Sequence, residues 1–66
     1  MKIQLNGELR EVSAGATVAD LLGELGVKQP HCAVELNLEV VPRSQHAGTQ
    51  LCDGDRIEVV TLVGGG

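Results

Sequence analysis

A single apolar stripe limits what this chain can fold into. Val18, Leu21, Leu22 and Leu25 fall at i, i+3, i+4 and i+7, so a helix there presents one apolar face. Thr17 stands ahead of the stripe as a capping residue. Asp20, three residues on, supplies the acidic half of a capping box and complements the helix dipole. Gly26 is a C-terminal stop, and Pro30 prevents the helix from restarting. Gly23 costs the helix about 1 kcal/mol relative to Ala, which a close helix–sheet approach would explain. With 66 residues there is room for one core, and a chain of this length buries only about 60% of the surface its unfolded form exposes. One helix covers one face of a sheet, so the expectation is a two-layer α+β domain with the second sheet face uncovered.

The rest of the pattern is strand-like. Lys2 to Asn6 alternates, with Ile3 and Leu5 on one face. Asn6-Gly7 is a hairpin turn, because both residues tolerate positive φ. The return strand runs from Glu8 to Ser13. Its apolar residues Leu9 and Val12 are three apart, which a bulge or a longer loop would reconcile. Cys32, Val34, Leu36 and Leu38 alternate through a third strand. Asn37-Leu38-Glu39 then makes a tight connection into a short strand around Val40-Val41, ended by Pro42. Arg43 to Gln50 is polar, with room for one helical turn. Asp53-Gly54-Asp55 is a turn, and Arg56 to Leu62 forms the last strand, with Ile57, Val59 and Thr61 on one face and Val60 and Leu62 on the other.

Composition excludes several functions. Phe, Tyr and Trp are absent, which removes aromatic stacking platforms for bases. The net charge of -4 disfavours nucleic acid and anionic membranes and suits a basic protein partner. No stretch is long enough to span a bilayer, and Met1 to Gly7 reaches a turn before a signal-peptide apolar region could form. These points lead to a cytoplasmic protein. Cys32 and Cys52 lack C-x-x-C spacing and are expected to be buried small hydrophobes rather than a disulfide. The irregular placing of His31 and His46 beside them gives no support to a zinc site, so no metal is expected.

Catalytic patterns are missing as well. The sequence holds no phosphate loop and no G-x-G-x-x-G opening a helix. Glu35 and Glu39 read as a solvated face. So small a domain without an implied pocket is not expected to be an enzyme. What remains is Val63-Gly64-Gly65-Gly66, which reads as a flexible tail of residues 63–66 on a domain of residues 1–62. Fully extended it would reach roughly 13 Å at about 3.3 Å per residue. Gly64 and Gly65 could thread a narrow channel in another protein and present the carboxylate of Gly66. A carboxylate is a poor electrophile and must be activated, for example as an acyl-adenylate made from ATP by a partner. Val60 and Leu62, with Val63 at the root of the tail, form the expected docking patch.

Several motifs together carry a resemblance. They are Asn6-Gly7, Gly15-x-Thr17-Val18-x-x-Leu21-Leu22, Asn37-x-x-Val40-Val41-Pro42-Arg43, Leu51-x-Asp53-Gly54-Asp55-x-Ile57-Glu58, and the terminal Val63-Gly64-Gly65-Gly66. In this order and at this length the chain resembles the ThiS family of sulfur carriers of thiamine biosynthesis. The resemblance implies a β-grasp, ubiquitin-like fold: a mixed sheet with first and last strands adjacent and parallel, and one main helix on one face. It implies no bound cofactor, with ATP used by a ThiF-like adenylyltransferase on the Gly66 carboxylate. Sulfur from a cysteine-derived donor would then form a thiocarboxylate, a 1-thioglycine at Gly66. Thiazole synthase, ThiG, would accept that sulfur for the thiazole of thiamine. His46 stands where many members place an aromatic residue, a departure from the family's pattern, so the resemblance implies no partner contact there. The alternatives are a carrier for molybdopterin synthesis, a ubiquitin-like modifier conjugated through Gly66, and an interaction domain with a tail.

Overall fold

The computed structural model describes residues 1–27 and 32–61. In chain order it contains β1 (Lys2–Leu5), β2 (Glu8–Glu11), α1 (Val18–Leu25), β3 (Cys32–Leu36), β4 (Glu39–Val40), a short 3₁₀ helix at Arg43–Gln45, and β5 (Arg56–Thr61). The strands form one sheet in the order β2-β1-β5-β3-β4. β1 and β5 are parallel, with Gln4 opposite Arg56 and Leu5 opposite Ile57. The remaining pairs are antiparallel. This is the β-grasp arrangement expected of the chain, with the last strand in the middle of the sheet.

The helix forms where its signals lie. The Thr17 hydroxyl accepts from the Asp20 N–H at 3.1 Å, and the Asp20 carboxylate accepts from the Thr17 N–H at 2.9 Å, which closes the capping box. Backbone carbonyls of the 46–49 loop take two further N-terminal amides, with Val18 N–H donating to Thr49 and Ala19 N–H to His46. Gly26 ends the helix in the left-handed region at φ 72, its N–H bonded back to Gly23 and Leu22. Val18, Leu21 and Leu22 then bury against Ile3, Val34, Ile57, Val12, Val41 and Leu51 in one core of aliphatic side chains.

Four details differ from expectation. Leu9 and Val12 need no bulge, because the β1–β2 ladder keeps one register from Lys2 opposite Glu11 to Leu5 opposite Glu8. Three residues apart, two strand positions lie on opposite faces. Leu9 is therefore 72% exposed on the outer face, while Val12 is buried beyond the strand's end. The third strand stops at Leu36. Leu38 belongs to the turn at φ 72, after Asn37 at φ 50, and is exposed. Gly23 makes no close approach, since a Cβ there would meet nothing within 4 Å. Finally, Cys52 is exposed and Cys32 half-buried against the core, so the expectation of two buried thiols fails for Cys52.

An open helical site with ordinary φ is where Ala improves on Gly. Gly23→Ala should raise unfolding stability by about 0.5–1 kcal/mol, read as a higher urea midpoint at unchanged slope. A lower midpoint would reveal a contact that the structure does not contain.

Candidate functional site

The end of β5 is built by three neighbours. On one side β3 pairs with it antiparallel, from Leu36 opposite Ile57 to Cys32 opposite Thr61. On the other side β1 pairs as far as Ile57, and the Asn6 N–H adds a bond to the Ile57 carbonyl at 2.9 Å. The Asn6 carboxamide then reaches Val59, Oδ1 accepting from its N–H at 2.9 Å and Nδ2 donating to its carbonyl at 3.2 Å. Below the helix, Ile57 and Val59 face the core.

Val60 takes the outer face, 56% exposed, directly across from exposed Ala33. Glu58 and Glu35 are paired beside them on the same face, and Val40 lies across from Glu35. Like charges set directly opposite across a ladder disfavour the pair, and neither carboxylate has an ion-pair partner among the described residues. The face left open by the helix is thus apolar and acidic near the end of β5. A shallow groove of about 540 Å³ lined by Asn6, Gly7, Glu58, Val59, Val60 and Thr61 borders it.

Of the residues read as a site from sequence, the structure places Val60 as expected, on the uncovered face. Leu62, Val63, Gly64, Gly65 and Gly66 lie outside the described residues, as does His31. His46, the departure from the family's pattern, is buried, 2% exposed, its Nε2 3.0 Å from the Val41 carbonyl. The chain turns through the 3₁₀ helix at Arg43–Gln45 and folds the imidazole inward, which a run of polar residues does not announce. Among the described residues no group of three or more His, Cys, Asp or Glu side chains could hold a metal ion. No helix there is long and apolar enough to cross a membrane.

Sequence reasoning missed Asn6 and Asp55 as structural hubs. Asp55 accepts from the Cys52 N–H at 2.7 Å and from Asn37 Nδ2 at 3.0 Å. Asn37 Oδ1 in turn accepts from the Arg56 N–H at 3.0 Å. In the sequence Asn6 and Asn37 stand out as turn and motif residues, not as side chains that bond to another strand. The available signal was a turn residue with both a donor and an acceptor to spare.

The family model described as "ThiS family" matches residues 3–66. The chain belongs to the ThiS family. The sulfur carrier protein ThiS of Escherichia coli is 36% identical over 66 residues, covering all of both chains. The crystal structure of the thiamine biosynthesis protein ThiS from Geobacter metallireducens superposes with a TM-score of 0.84 at 36% identity, again over all of both chains. A thiazole synthase from Paramagnetospirillum magneticum is 53% identical over the whole of this chain, yet the chain spans only 20% of that protein's length.

The outer face of a ThiS-family sheet can be separated from its core by paired substitutions. Val60→Ser should leave stability within about 0.5 kcal/mol, whereas Ile57→Ala should lose about 2–5 kcal/mol, both by urea unfolding. A comparable loss in the two variants would mean that Val60 is packed.

Proposed function

We propose that this chain is a sulfur carrier for synthesis of the thiazole of thiamine, acted upon rather than catalytic. In this reading residues 1–62 form the recognised body and residues 63–66 a flexible tail. A ThiF-like adenylyltransferase in the cytoplasm binds the body and draws in the tail, Gly64 and Gly65 fitting a channel too narrow for side chains. One oxygen of the Gly66 carboxylate attacks the α-phosphorus of ATP, and pyrophosphate leaves. Sulfur released from cysteine at the hydrosulfide level then attacks the carbonyl carbon, the carbon–oxygen bond to AMP breaks, and AMP departs with the carboxylate oxygen while the hydrosulfide proton is lost to solvent. The resulting thiocarboxylate is a stronger nucleophile than the carboxylate at neutral pH, and its tether prevents loss of free sulfide. A thiazole synthase of the ThiG type accepts the sulfur.

The observation that carries this reading is likeness over all of both chains to a protein named as a sulfur carrier. The match within a thiazole synthase supports the choice of acceptor. There, a segment like this chain shares one polypeptide with the remaining length, an arrangement that holds donor beside acceptor at high effective concentration. Val60 and Ala33, exposed on the acidic outer face, fit docking by a partner with apolar and basic groups. Leu62 and Val63 would continue that contact toward the tail.

Intact-mass analysis tests the chemistry. After incubation with ATP, a sulfur source and the adenylyltransferase, the chain should exchange one oxygen for sulfur, and a folded variant lacking Gly66 should not. An unchanged mass with active enzyme would contradict the proposal, and stable high-mass adducts to lysine would favour a protein modifier.

Neither thiol is needed in this scheme. A folded Cys32→Ala, Cys52→Ser double variant should load sulfur at the rate of the unaltered chain; abolished loading would implicate a thiol in transfer.

A further inference from the structure

The end of β5 outruns one of its two neighbours. Successive residues of a strand send their peptide groups to opposite edges of it. Towards β3, the Arg56 carbonyl accepts from the Asn37 N–H at 2.7 Å. Towards β1, the Ile57 carbonyl accepts from the Asn6 N–H, and the N–H and C=O of Val59 both bond to the Asn6 carboxamide. Thr61 comes two residues after Val59, so its N–H and C=O face the β1 side as well. Cys32 of β3 lies across from Thr61, but this parity makes them a pair without hydrogen bonds to each other.

Nothing among the described residues stands on that other side. The β1 ladder ends with Leu5 opposite Ile57, the chain turns back through Asn6-Gly7 into β2, and the Asn6 side chain reaches no farther than Val59. The groove of about 540 Å³ lined by Asn6, Gly7, Glu58, Val59, Val60 and Thr61 lies where a further stretch of β1 would run. An exposed donor and acceptor on a strand edge match an extended backbone, and match a helix poorly. Along such an added segment, the side chains flanking the one opposite Thr61 fall on the outer face, beside Val60 and Glu58. Glu58 has no ion-pair partner among the described residues, so it favours a basic side chain there.

We propose that this open edge takes an extended, basic segment of the thiazole synthase, added to the sheet as a strand beside β5. The inference rests on the carrier role proposed above, and the likeness of this chain to part of a thiazole synthase selects that enzyme as the occupant. The backbone bonds ask for no particular side chain on Thr61, and Glu58 sets the preference for a cation.

Amide exchange tests the added strand directly. In the free chain the Thr61 amide should exchange at close to an open-chain rate, while that of Val59, bonded to Asn6 Oδ1, exchanges more slowly. Once the chain is saturated with a purified ThiG-type thiazole synthase, exchange at Thr61 should slow by about tenfold or more. Titration calorimetry with the same enzyme supplies a second measurement. Thr61→Pro removes the N–H without removing a bond to β3, and should raise Kd about tenfold. Thr61→Val keeps the N–H and should bind as the unaltered chain does, and Glu58→Gln should weaken the salt dependence of Kd. Amide exchange at Ile3 and Ile57 shows whether each variant keeps its core; if Thr61→Pro does not, protection of Thr61 in the unaltered chain decides alone. No complex, a complex in which the Thr61 amide stays open, unchanged affinity in Thr61→Pro, or an equal loss in Thr61→Val overturns the strand addition. An unchanged salt dependence in Glu58→Gln overturns the basic character of the segment. Sulfur that never passes from a loaded chain to the synthase overturns the carrier reading itself, whereas normal sulfur transfer with an open Thr61 amide overturns only the added strand.

Discussion

A parallel pair of strands cannot be closed by a hairpin, so the register of β1 against β5 must be held by bonds outside their short ladder. The Asp53-Gly54-Asp55 turn supplies them. The Lys2 N–H donates to the Asp53 carboxylate at 2.8 Å, the Gly54 N–H donates to the Lys2 carbonyl at 2.7 Å, and the Gln4 N–H donates to the Asp55 carbonyl at 2.8 Å. Asp55 meanwhile ties in the β3–β4 hairpin through Asn37. The start of β5 is thereby locked to both neighbours, and Ile57 enters the core opposite Leu5. The helix, the sheet order and the uncovered face all follow from that lock, because only with β5 central can one helix cover a single aliphatic core.

The same arrangement explains how a domain without aromatic residues can suit a carrier. Its described body has an aliphatic interior, a sheet face that is partly apolar and partly acidic, and shallow surface grooves. In the proposed function the reacting atoms belong to the chain end, and the fold contributes recognition. The described end of β5 is the central strand of the sheet, with β3 paired to it as far as Thr61. The domain invests its polar side chains accordingly: Asn6, Asn37, Asp53 and Asp55 all bond to β5, to its entry turn or to the strands beside it.

Much of this was legible in the sequence where pattern and chemistry agree. The Thr17–Asp20 capping box, the Val18 to Leu25 stripe and the Gly26 stop each act locally, so each appears in the structure where it was read. The strand faces of Ile3, Val34 and Ile57 were equally plain. Failures came where a neighbour distant in sequence decides. Leu9 faces solvent because its partner on β1 is Gln4, which no local pattern reveals. Leu38 occupies a left-handed turn position that costs an apolar residue about 1–2 kcal/mol, so its alternation with Leu36 was misleading. His46 is buried in a loop whose carbonyls meet the helix N-terminus, its own accepting from Ala19, which the local run of polar residues does not reveal. At the candidate site, Val60 could be placed from strand parity alone, while the grip of Asn6 on Val59 required the parallel register to be known.

The central claim, that the working atoms are those of the Gly66 carboxylate, is open to isotopic tracing. A chain whose C-terminal carboxylate carries heavy oxygen in both positions would be converted with ATP, sulfur source and adenylyltransferase, and the AMP analysed by mass. Acyl-adenylate chemistry predicts that one labelled oxygen passes into AMP for each sulfur gained by the chain. Sulfur gained with unlabelled AMP, or labelled carboxylate left intact while sulfur appears elsewhere in the chain, would contradict it.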